Sequence, residues 1–146
     1  MAVPSVVKFK NGGVEYVSAV DRTQYTLREL SRAALRDSGK LVRNRFRKAY
    51  YGKFKKHKKR VYKFTQYWVR RGDTTLQVGL KPGGFYGGYQ ELGTSKQPRL
   101  GLLRGVVEEN LPEIIKIQSQ YLSALEDEAK ALSMIDESEM EGGADE

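Results

Sequence analysis

The chain has 146 residues, enough for one domain, and its lack of cysteine excludes a disulfide framework, a thiol nucleophile and a cysteine metal site, which fits a reducing compartment. Its formal charge of +8 is polarised: residues 1–104 carry 24 Lys and Arg against 6 Asp and Glu (+18), while residues 105–146 carry 2 against 12 (−10). Such a chain draws anions with one part and cations with the other, so the acidic end of one copy is expected on the basic face of its neighbour.

Val6-Val7-Lys8-Phe9-Lys10 alternates and stops at Asn11-Gly12-Gly13, a turn signal. Val14 to Val20 reads equally as a returning strand or a first helical turn. From Thr26 the period is helical, with Thr26 and Glu29 spaced as a capping box. Leu27, Leu30, Ala34, Leu41 and Ala49 share one face, and Arg28, Arg32, Arg36, Lys40, Arg43 and Arg47 form a stripe on the opposite one. The helix is expected to end near Tyr51-Gly52, with a kink allowed at Gly39.

Lys53 to Arg60 is a basic loop, and Val61 to Arg71 alternates as a strand. Tyr62, Phe64 and Trp68 share one strand face and are expected in the core, opposite Val61, Thr65, Tyr67 and Val69. Gly72-Asp73 is a two-residue turn candidate, and Thr74 to Leu80 returns with Leu76, Val78 and Leu80 inward. Pro82-Gly83-Gly84 breaks the strand, and Phe85 to Leu92 is a short helix or turn closed by Gly93-Thr94. Leu102 to Leu132 reads as the longest helix, broken or started near Asn110 by Pro112. The expected architecture is α+β: a small antiparallel sheet packed by the basic N-terminal helix and the long C-terminal helix. A flap covers about 83–100. One domain spans 1–134, and the acidic, apolar-poor stretch 135–146 is expected to be disordered.

No apolar run approaches the ~20 residues that span a bilayer. The opening Met1-Ala2-Val3-Pro4-Ser5 lacks the charged-then-apolar layout of a signal peptide. A soluble protein of a cytoplasm, without a membrane partner, is the expectation.

Two segments carry functional content. From Lys40 to Lys63, 12 of 24 positions are Lys or Arg and none is acidic, with Tyr50, Tyr51, Phe54, Tyr62 and Phe64 interleaved. Arg43, Arg47, Lys53, Lys55, Lys56, Lys58, Lys59 and Arg60 suit contact with DNA phosphates or with an acidic protein partner, and a sequence-independent nucleic-acid-binding module is one reading of the chain. His57 has no carboxylate near it in sequence to orient it for acid–base work. The glycines around Phe85-Tyr86 lack the Gly-Lys-Ser/Thr ending of a phosphate loop. The sequence therefore predicts no enzyme, no metal and no cofactor.

The second segment is Tyr86-Gly87-Gly88-Tyr89-Gln90-Glu91-Leu92-Gly93-Thr94-Ser95-Lys96-Gln97-Pro98-Arg99, followed by Leu100-Gly101-Leu102-Leu103-Arg104-Gly105-Val106. Read locally, Glu91-Leu92-Gly93-Thr94 places a carboxylate where backbone N–H groups or a basic helix hold it. The plainer alternative is a glycine-capped helix end with Leu92 in the core. The run resembles the signature of the tailed-phage neck, or tail-completion, protein family, in which aromatics lead to Glu-(Phe/Leu)-Gly-Thr, a polar Pro-containing loop and a Leu-Arg helix start. The resemblance covers residues 84–109 well and the rest in layout. Gly101-Leu102-Leu103-Arg104-Gly105-Val106 departs from the Pro-Phe-Leu-Arg-Pro-Ala common there. Tyr89, Glu91, Leu92, Gly93, Thr94 and Arg104 fall on the family pattern and are expected at subunit or partner interfaces. The resemblance implies a structural virion protein of the head–tail junction that assembles in the host cytoplasm. Its expected partners are copies of itself in a ring, connector or stopper proteins, and tail-tube or tail-terminator proteins, with non-specific contact to genomic DNA.

Overall fold

The computed structural model describes residues 3–53, 64–82, 86–96 and 98–142. β1 (Val7–Asn11) and β2 (Val14–Ser18) pair antiparallel with Phe9 opposite Tyr16. Gly12 and Gly13 both take positive φ, 58° and 81°, as the two-residue turn between the strands requires. Of the two readings open for residues 14–20, the strand forms over 14–18, and Val20 begins the helix.

α1 (Val20–Lys53) follows directly and runs about 50 Å at 1.5 Å per residue. It begins six residues before Thr26, so the expected capping box does not form. The Thr26 hydroxyl instead donates to the Arg22 carbonyl one turn back, at 3.0 Å, and buried Glu29 accepts from Arg32 at 3.0 Å. The covered arc of α1 passes through Leu30, Ala33, Ala34, Val42, Phe46 and Tyr50. Leu27, expected on the apolar face, sits at the edge of that arc and stays exposed.

β3 (Thr65–Val69) and β4 (Leu76–Leu80) form a second, separate hairpin, with Val69 paired to Leu76. That register leaves too many residues for a two-residue turn at Gly72-Asp73. The Arg70 N–H donates to the Thr75 carbonyl at 2.9 Å, and Thr74, not Gly72, carries the positive φ of 49°. The inward face is Thr65, Tyr67 and Val69 with Leu76, Val78 and Leu80. This corrects the expected face of β3: Trp68 is 41% exposed, beside Gly79, and Phe64 is half-buried. Tyr62 lies outside the described residues. The cause is visible on α1. A Cβ at Gly39 would come within 2.7 Å of both Leu76 Cδ1 and Tyr67 Cδ2. Gly39 is therefore the point where the hairpin approaches the helix, and α1 runs through it without a break.

α2 (Tyr86–Leu92), α3 (Leu102–Glu109), α4 (Leu111–Ser123), a 3-10 turn at Ala124–Glu126 and α5 (Glu128–Gly142) complete the chain. The helix expected over 102–132 breaks near Asn110, as Pro112 implies, and again at Asp127, which is not expected; the longest helix is α1. Pro112, in the first turn of α4, cannot donate into a continuing α3, and the Asn110 side chain donates to the Val106 carbonyl at 2.8 Å across the break. Asp127 is extended and caps α5, its Oδ1 accepting from the Ala129 N–H at 3.0 Å. α4 and α5 pack on α1 rather than on the sheet. Leu30, Ala33 and Ala34 meet Tyr121, Ala124, Ala131 and Ile135, the alanines letting the backbones approach. Fully buried Ile135, with Leu132 and Met134 beside it, anchors α5. Residues 135–142, the described part of the tail expected to be disordered over 135–146, are helical; residues 143–146 lie outside the described residues. The fold is α+β, with five α-helices and two two-stranded antiparallel sheets among the described residues.

Some of the charge complementarity expected between copies is used within one chain. Arg22 pairs with Glu128, and Arg45 with Glu113 at 3.3 Å, tying α1 to α5 and α4. Both pairs are exposed and contribute at most ~1 kcal/mol each. The Tyr121 hydroxyl donates to Asp37 across the same interface.

Candidate functional site

The segment 86–104 is built around one carboxylate. α2 ends in Gly93, whose φ of 78° turns the chain, and a Cβ there would lie 2.8 Å from the Arg99 backbone nitrogen. The loop therefore folds back tightly over the helix end. Leu100 N–H donates to the Gln90 carbonyl at 2.9 Å and Gly101 N–H to the Glu91 carbonyl at 3.1 Å. Gly101, with φ of 60°, starts α3. Its first turn then meets the Glu91 side chain: Leu103 N–H donates to Oε2 at 3.0 Å and Arg104 N–H to Oε1 at 3.1 Å. Glu91 thus caps a helix that begins eleven residues after it, accepting two of the N–H groups that a helix start leaves without partners and placing its charge on the positive end of the helix dipole. Of the expected extended flap over 83–100, residues 86–96 and 98–100 form a short helix and a closed loop, and residues 83–85 and 97 lie outside the described residues.

The clamp is joined to the body by apolar and polar contacts. Val106, Leu102 and Leu103 pack with Phe46, Tyr50 and Leu80, so α3 is seated where α1 meets β4. The Tyr50 hydroxyl donates to Gln90 Oε1 at 2.7 Å and fixes α2 to α1. Sequence reading missed this bond, because forty residues separate its partners and nothing local marks them.

Comparison with family models, curated proteins and solved structures gives no match.

Of the residues singled out in sequence, Glu91 and Gly93 are structural centres of the clamp. Leu92 is 74% exposed, which removes the alternative that placed it in the core. Tyr89 is also exposed. Thr94 Oγ1 accepts from the Lys96 N–H at 3.3 Å within the loop, and Arg104 donates from Nε to Glu108 at 2.9 Å on the surface of α3. The clamp therefore offers an apolar pair, Tyr89 and Leu92, on a braced support.

The basic residues divide. Arg43 is buried, with its guanidinium 4.9 Å from the Tyr67 ring centroid, and Arg47 donates to the Thr65 carbonyl at 3.1 Å. Both hold the β3–β4 hairpin against α1, so the structure assigns them to packing and not to an open contact face. Lys53 ends α1 and is exposed; Lys55, Lys56, Lys58, Lys59 and Arg60, with Phe54 and His57, lie outside the described residues. Among the described residues no three His, Asp or Glu side chains are grouped to hold a metal ion, and no helix is long and apolar enough to cross a membrane.

Proposed function

We propose that this chain is a structural protein of a phage head–tail junction, completing the tail or bridging connector and tail through protein–protein contacts. The reading begins from the resemblance of residues 84–109 to the neck and tail-completion family. Its single structural support is the Glu91 clamp. A carboxylate accepting two backbone N–H bonds gives residues 89–101 a fixed shape, and that shape presents Tyr89 and Leu92 to solvent. Exposed apolar side chains on a rigid support are a feature of assembly surfaces, because binding then orders little further. The polarised charge serves the same end by steering encounter.

The test is binding of the purified chain to isolated phage connectors and tails. Binding that is lost in Leu92→Asp, with the fold intact, supports the proposal. A chain that ignores both structures, yet retains duplex DNA with a steep salt dependence, would replace it with the nucleic-acid-binding reading.

A further inference from the structure

The β1–β2 hairpin buries almost nothing. In its register Val7, Phe9, Val14 and Tyr16 share one face, with the Phe9 and Tyr16 rings 4.8 Å apart, while Lys8, Lys10, Glu15 and Val17 share the other. Yet Phe9 is 54% and Tyr16 52% exposed, and every residue of β1 is exposed. A lone two-stranded hairpin is at best marginally stable in water. An amphipathic one with its apolar side open is half of an interface.

A second open face lies on α4. Its apolar arc is wider than α1 covers: Ile117 and Tyr121 turn inward, while Leu111, Ile115 and Leu122 form an outer stripe at helical spacing. Ile115 is 60% and Leu122 55% exposed. The segments that carry these faces differ in charge, although the hairpin's charged residues lie on its side opposite Phe9 and Tyr16. Residues 3–18 hold Lys8 and Lys10 against Glu15, a net +1; residues 105–127 hold five acids against Lys116, a net −4. One copy leaves both faces open.

We infer that the hairpin of one copy docks, through Val7, Phe9 and Tyr16, on the Leu111–Ile115–Leu122 stripe of a second copy of this chain. The inference rests on the assembly reading proposed above and adds to it a contact between copies of this chain. The interface is heterologous: each copy uses its hairpin on one neighbour and its stripe on the other, which generates a ring if the rotation closes and a filament if it does not.

Phe9→Asp and Ile115→Asp test this as a pair, with circular dichroism as the control for folding. Each variant alone is expected to lose self-association by at least about 30-fold, the effect of removing one buried anchor. Mixed at equal concentration they retain one intact interface and should form a 1:1 dimer, seen by native mass. A second measurement does not depend on those variants. The chain has no cysteine, so Phe9→Cys protein mixed with Ile115→Cys protein should oxidise to a mixed covalent dimer, and neither should cross-link alone. Three results overturn the inference: variants that self-associate like the wild type, cross-linking of Phe9→Cys with itself only, or a wild type monomeric at every concentration. The first two leave the junction reading standing, because connector and tail binding is measured separately.

Discussion

Replacing Glu91 with Ala removes both acceptors of the Leu103 and Arg104 N–H groups and the charge that faces the start of α3. Loss of a side-chain cap costs ~1 kcal/mol, and loss of the favourable dipole interaction another ~0.5 kcal/mol. The Arg104 end is solvent-accessible, so water recovers part of the second bond. The net expectation is a loss of about 1–1.5 kcal/mol. At ~3 °C per kcal/mol for a domain of this size, the melting temperature should fall by about 3–5 °C. Glu91→Gln keeps one acceptor and should lose roughly half as much. Circular dichroism melts give the stability. Amide hydrogen exchange gives the location, with protection expected to fall at Leu103 and Arg104 before it falls in α1. An Ala variant as stable as the wild type, or one whose exchange rises uniformly, would refute the clamp as the element that shapes residues 89–104.

Gly39→Ala should destabilise by about 1–3 kcal/mol in urea despite the better helix propensity of Ala, because the new methyl meets the Tyr67 ring and Leu76 at the closest approach of hairpin and helix; a gain in stability would contradict that packing. Gly93→Ala combines a left-handed φ with a contact against the Arg99 backbone and should cost at least ~1–2 kcal/mol, read from the same titration, whereas a neutral result would mean that the loop closes elsewhere. Trp68, the chain's one tryptophan, should emit as a partly solvated indole and be quenched by acrylamide in the native state; strong protection would restore it to the core.

How much of this could be read from the sequence depended on whether a signal was local. The alternation over residues 65–80 marked both strands. It could not choose between faces, because β3 carries aromatics on each, and the deciding contact lies with Gly39 in another element. The Pro112 break was legible because proline lacks the donor that a continuous helix needs. The break at Asp127 was not, because capping by aspartate followed by Glu128 resembles an ordinary acidic helix surface. Thr26 and Glu29 imitated a helix start inside a helix whose true start carries only Asp21 in its first turn as a side-chain signal. The apolar residues Leu132, Met134 and Ile135 were the cue that α5 continues, but the acids around them dominated the composition. Within the clamp, Glu91 and Gly93 stood out by residue type alone. Their partners Arg99, Leu103 and Arg104 follow within 13 positions, and only the fold shows which atoms meet.

The central claim, that this chain works by assembling with copies of itself and with junction proteins, is tested most directly by its native mass across a salt series, with and without isolated connectors or tails. A discrete oligomer that weakens as salt rises, or a monomer that joins those structures as a defined ring, is the predicted result. A monomer at every salt concentration that binds neither connectors nor tails would contradict it.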